Sequence, residues 1–161
     1  MIVPYQILKD LFVSDIEAVK AFHYGSIAEL KKYMDIKAKE NIYPLGWVEL
    51  PLQRSQDKID GSYRELPINM FIATTTRKDW LNHKREIETF GKVLRPIYDE
   101  FKKQAVLSKH FEFVGREIEP NELHNFHTSD FSTFEQSNEV NAYWDVISIS
   151  FTGRFNNNCK K

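Results

Sequence analysis

Cysteine occurs once in the 161 residues, at Cys159, so the chain can form no disulfide with itself and build no thiolate zinc site. A reducing compartment fits that usage. Glycine is scarce as well, with six residues, and none belongs to a G-x-G-x-x-G or G-K-S/T string, which excludes phosphate-binding loops of those kinds. No apolar run approaches the ~18 residues that a membrane helix needs. The N-terminal stretch MIVPYQILKDLF lacks a basic region followed by an unbroken apolar segment, so neither membrane crossing nor export by a signal peptide is expected. A net charge of -1 supplies no general field toward nucleic acid or an anionic membrane, so any such contact must be local.

What is present is ordinary in amount but not in kind. Hydrophobic residues make up 42% and charged residues 28%, values of a globular domain rather than a coiled coil or a disordered tail. The length suits one domain over residues 1–161, burying roughly two thirds of its unfolded surface. Aromatics reach 14%, with twelve Phe, and aromatics supply much of the buried area of cores and interfaces.

Hydrophobic spacing orders the chain into three parts. From Tyr5 to Asn41, Ile7, Leu8, Leu11 and Phe12, then Ile16, Val19 and Phe22, then Ile27, Leu30 and Tyr33 recur at helical steps, predicting two or three short helices over a 1–41 region. Ser14 and Glu17 have the spacing of a capping box, and Tyr24-Gly25-Ser26 marks a break. Lys31, Lys32, Lys37 and Lys39 read as a solvated face.

Residues 42–155 read as a sheet plus one long helix. Tyr43, Leu45 and Trp47 alternate with Pro44, Gly46 and Val48, predicting a first strand. Polar residues 53–65, with the turn dipeptide Asp60-Gly61, predict a projecting hairpin. Leu66–Thr74 has apolar residues on both faces and reads as a central strand. Trp80, Lys84, Ile87, Gly91, Leu94, Tyr98 and Phe101, with Phe90 and Ile97, predict one side of a long helix, kinked or restarted at Pro96. His110–Ile118 predicts a third strand and Tyr143–Phe155 a last one, with a long polar loop over 119–139 that still carries Phe126, Phe131 and Phe134. Residues 156–161 are expected to fray. The resulting class is α+β: a mainly antiparallel sheet packed on one face by the long helix.

Candidates for chemistry are few. His124, His127 and Asp130 could hold a divalent ion and support a small metal-dependent hydrolase, but Asn121, Asn125, Thr128, Ser129 and Ser132 give the stretch a loop composition. Asp99 with Glu100, and Glu117 with Glu119, are better read as surface charge than as an acid–base pair. Ser148 and Ser150 have no histidine at a telling position and read as a strand's exposed face. Trp80 beside Arg77 and Lys78 resembles a base-stacking site in composition, yet a strand-to-helix corner explains it more simply.

The helical start, the aromatic-proline strand (Tyr43, Pro44, Trp47, Pro51), the segment INMFIATTTRKDWLNHKREIETFGKVLRPIYDEF and the closing FHTSDFSTFEQSNEVNAYWDVISISF and NNNC together resemble small tail-completion proteins of tailed bacteriophages. That group includes lambda-type tail terminators and related head-to-tail joining proteins. The resemblance implies a structural role without catalysis or cofactor: a homo-oligomeric ring, hexameric or twelve-fold, that joins the tail tube to the head connector. It further implies tube and connector proteins as partners, non-specific passage of DNA through the ring, and a virion neck or tail location after assembly in the host cytoplasm. A closed ring needs two different surfaces per subunit. Arg54, Lys58 and Arg64 of the hairpin and Phe126, Phe131 and Phe134 of the loop are the residues expected there. The N-terminal helical region is longer than in a generic terminator, which leaves terminator, adaptor and stopper positions open.

Overall fold

The alternation at residues 143–155 becomes the strand around which the sheet is arranged. The computed structural model describes residues 4–14, 16–37, 42–49, 56–57, 63–126 and 143–156. In chain order these form α1 (Pro4–Ser14), β1 (Ala21–Gly25), α2 (Ile27–Lys37), β2 (Leu45–Glu49), β3 (Gln56–Asp57) and β4 (Tyr63–Thr76). There follow α3 (Asn82–Arg85), a π-helical segment (Glu86–Leu94), α4 (Arg95–Leu107), β5 (Phe111–Phe126) and β6 (Tyr143–Asn156). The strand order is β1-β2-β4-β6-β5, with β3 on the far end of β4. β1 and β2 run parallel, and the other described pairs are antiparallel. The class is α+β, as the sequence predicts.

Period-two patterning explains the two central strands. Leu66, Ile68, Met70 and Ile72 of β4 and Ile147, Ile149 and Phe151 of β6 enter one core, which Leu8, Leu11 and Phe12 of α1 and Phe90, Leu94 and Phe101 of the long helix cover. The opposite parity, Ala73, Trp144 and Val146, meets Leu30 and Met34 of α2. The sheet is therefore covered on both faces at the β1–β2 end, by the long helix and α1 on one and by α2 on the other, in keeping with the apolar residues on both faces of Leu66–Thr74. Toward the other end the second face is polar, and the Ser150 hydroxyl donates to Asn69 Oδ1 at 2.9 Å. Much of the phenylalanine goes to the first core, where Phe12 lies 4.9 Å from Phe101 and Phe111 5.2 Å from Phe155, centroid to centroid. Each such ring, fully buried, contributes about 1.5–3 kcal/mol.

Three expectations need correction. Residues 16–25 are not a helix: a turn closed by Val19 N–H on Ile16 O at 3.1 Å leads into β1. A turn plus a strand satisfies the same three-residue apolar spacing, and pairing alongside β2 satisfies the backbone. Ser14 accordingly ends α1 instead of capping a helix. The capping box lies at Ser26 and Glu29, where the Ser26 N–H donates to Glu29 Oε2 at 2.6 Å and the Glu29 N–H to Ser26 Oγ at 3.2 Å.

The second correction concerns β5, which continues through residues 119–126. An edge strand with water on its outer side tolerates polar residues and Pro120, because only one side needs ladder bonds. Its register against β6 shifts between Val114 and Glu119, where Gly115 adopts φ 98°, a left-handed conformation that glycine takes without steric cost. The third correction is the long helix. Leu94, Ile97, Tyr98 and Phe101 are buried as predicted, but Ile87 is 57% exposed while Arg85 and Thr89 are buried. Trp80 precedes α3 at the corner, with Lys84 Nζ 4.7 Å over its ring.

Candidate functional site

The π-helical segment sets the geometry of a site that gathers Glu86, Arg95, Glu122 and His124. Its hydrogen bonds close five residues apart, as in Arg95 N–H to Phe90 O. Two residues permit this winding. At Gly91 a Cβ would stand 2.9 Å from the Glu86 carbonyl oxygen, so the close approach requires glycine. Pro96 has no N–H to contribute, and its ring crowds the carbonyl four residues back in an α turn. The wider turn ahead of it makes room, and the helix resumes as α4 at Arg95, the restart expected at this proline.

Arg95 is the centre of the site. Its Nε and Nη2 donate to Glu122 Oε1 and Oε2 at 2.7 and 2.8 Å, and its Nη1 donates to Glu86. This two-point hold on Glu122 is the planar fork that guanidinium offers a carboxylate. It ties the π segment to β5. Arg95 holds the Glu86 carboxyl below its ordinary value, chiefly through that hydrogen bond. The two carboxylates in turn hold the Arg95 guanidinium charged, well above its usual range. His124 stacks on Phe90 with centroids 4.3 Å apart, and its Nδ1 is buried without a hydrogen-bond partner among the described residues.

Glu86, Glu122 and His124 bring their ligand atoms within 4.8 Å of one another, so they are the described residues that could hold a divalent cation. An ion there would have to displace the Arg95 fork from both carboxylates. As it stands one guanidinium bridges two carboxylates and fastens helix to sheet. His124 thus meets Glu86 and Glu122, while His127 and Asp130, its expected companions, lie outside the described residues. Nothing in the sequence marks the pairing of Glu86 with Arg95. Residues nine apart face opposite ways in an α-helix, about two and a half turns on. The available signals are Gly91 and Pro96 within a helical stripe.

The expected contact residues scatter. Arg64 is half-buried on β4, in register with Phe155 on one side and Asp57 on the other. Phe126 is not in a loop: it ends β5 opposite Trp144 and packs half-buried against the second core. Its ring fills the domain instead of projecting from it. Arg54, Lys58, Phe131 and Phe134 lie outside the described residues.

Exposed apolar side chains mark the two flanks instead. On β1, Tyr24 is 44% exposed and lies against Tyr5 of α1, ring centroids 3.8 Å apart. At the β5 flank, Val106 and Leu107 of α4 are 77% and 66% exposed. Val106 borders a groove of about 510 Å³ floored by Phe111, Phe113 and Ile118. Beside that groove Arg154 spans three strands, donating from Nε to Glu65 at 2.7 Å and from Nη1 to Glu112 at 2.9 Å. No protein-family model matches the sequence, and no curated protein matches it.

Proposed function

We propose that the protein is the subunit of a homo-oligomeric ring at the neck or tail end of a tailed bacteriophage, as tail terminator or tail-completion protein. The ring, hexameric or twelve-fold, joins the tail tube to the head connector, works by contact and not by catalysis, and lets DNA pass. An adaptor or stopper ring at the same junction is the nearest variant of this reading.

The observation that supports it is the difference between the two flanks of one sheet. A ring is closed by heterologous contacts, in which one surface of a subunit meets a different surface of the next. The helices cover much of the sheet faces, so the flanks are the natural places for contact. One presents the short edge strand β1 with Tyr24; the other presents the long, bulged β5 with Val106 and Leu107 above it. Solvent-exposed apolar side chains at both are suited to burial against a copy. The bulge at Gly115 and the proline at Pro120 blunt simple strand addition at β5, so the contact there is expected to be made by side chains.

Electron microscopy of the purified chain tests the proposal. Closed rings with a central opening, end-on in a substantial share of views, are the expected result. Open filaments or isolated subunits at every concentration would contradict it.

A further inference from the structure

We infer that residues 82–94 form a two-register helix, held in the π register by two polar locks and able to pass to an α register that turns Ile87 onto the sheet. The sequence carries both registers. Counting back from Leu94 in α-helical steps passes through Phe90 and Gly91, Ile87, Lys84 and Trp80, a stripe that would bury Ile87. The observed helix does the reverse: Ile87 is exposed, and Arg85 and Thr89 are buried in its stead. Burial energetics favour isoleucine over arginine in a core, so the observed register needs holding.

Two sets of contacts hold it. Thr89 and Arg85 both reach Asp145 on β6. Arg95 bridges Glu86 and Glu122, and that bridge belongs to the π register alone. Nine residues of α-helix would put Glu86 and Arg95 on opposite sides, whereas the looser winding brings them to the same side. In the α register both locks open, Asp145 loses these two helix partners, and an apolar side chain leaves the surface. The segment is therefore a surface whose isoleucine is displayed in one register and withdrawn in the other. This holds for a monomer and for a ring subunit alike.

Thiol labelling reads the register. In a Cys159→Ser background, which removes the only native cysteine, Ile87→Cys reports on the segment and Lys103→Cys, on α4 beyond it with its side chain 64% exposed, serves as control. Gly91→Ala places a methyl against the Glu86 carbonyl in the π register only, since alanine is at home in an α turn. Glu86→Gln loosens the Arg95 lock. With either change, labelling at position 87 is expected to slow about tenfold, as it does when nine molecules in ten occupy the α register, while labelling at 103 stays unchanged. Unchanged labelling at 87 in both variants, with circular dichroism intact, would overturn the inference. So would faster labelling at both positions, which signals loosening and not a change of register. If Gly91→Ala fails to fold, Glu86→Gln alone decides.

Discussion

Thr89 in the π segment donates its hydroxyl to the Asp145 carboxylate of β6, 2.5 Å away. The hydroxyl has one proton to give, so its 2.8 Å approach to the Arg85 carbonyl is a contact and the carboxylate takes the bond. Arg85 completes the group: its Nη2 donates to the Arg77 carbonyl at 2.9 Å, and its Nε lies 3.9 Å from Asp145 Oδ1. Both charged side chains are almost wholly buried, at 4% and 0% exposure. Removing one partner strands the other charge in the core. Asp145→Ala is therefore expected to cost about 3–5 kcal/mol, while the double change Arg85→Met with Asp145→Leu costs far less. Urea unfolding of the three proteins checks this, and a single change costing under about 1 kcal/mol would show that the pair is not carrying charge in the core.

The capping box at Ser26 and Glu29 gives a second test. Ser26→Ala removes the acceptor for the Glu29 N–H and is expected to lower stability by about 1 kcal/mol. The same change at Ser14, which ends α1, removes no N-cap and should cost less. Equal losses at the two serines would mean that the box is misplaced.

These two serines also show what the sequence could and could not reveal. β4 and β6 were legible because their apolar residues recur with a period of two, Ile68, Met70 and Ile72 in β4 and Ile147, Ile149 and Phe151 in β6. The existence of the long helix was legible for a similar reason. Its register was not, because the apolar stripe through Ile87 encodes an α-helix and the π winding is decided by partners distant in sequence, Asp145 and Glu122. β1 escaped notice because five residues following a turn reproduce helical spacing at Phe22. The second half of β5 escaped because an edge strand can be as polar as a loop. At the charged cluster only His124 stood out; Glu86, Arg95 and Glu122 come together through folding alone.

Stability should depend on pH through His23. Its Nε2 shares a hydrogen bond with the Tyr33 hydroxyl at 2.9 Å, and its pKa is lowered from 6.5, first by burial and then by the charge of Lys9. The unfolded chain thus binds this proton more readily than the folded one. The contribution is complete above the ordinary value of 6.5 and is lost as pH falls through the lower folded value. Urea midpoints measured from about pH 7.5 down to about pH 5.5 should decline, and the decline should be shallower in His23→Gln. Parallel profiles would remove His23 as the cause.

Assembly should depend on the apolar end of α4. Val106→Ser with Leu107→Ser changes side chains that are largely in water, so the folded subunit should keep its stability within about 0.5 kcal/mol. If these residues anchor a neighbouring copy, association weakens by at least about tenfold. Concentration-dependent light scattering separates the two effects, and undiminished association would move the contact elsewhere.

The mass of the particle in solution bears most directly on the proposed ring. Sedimentation velocity on the purified full chain should give one discrete species of six or twelve copies, as the resemblance to tail-completion proteins implies, persisting on dilution. A single species with the mass of one chain at every concentration would contradict it.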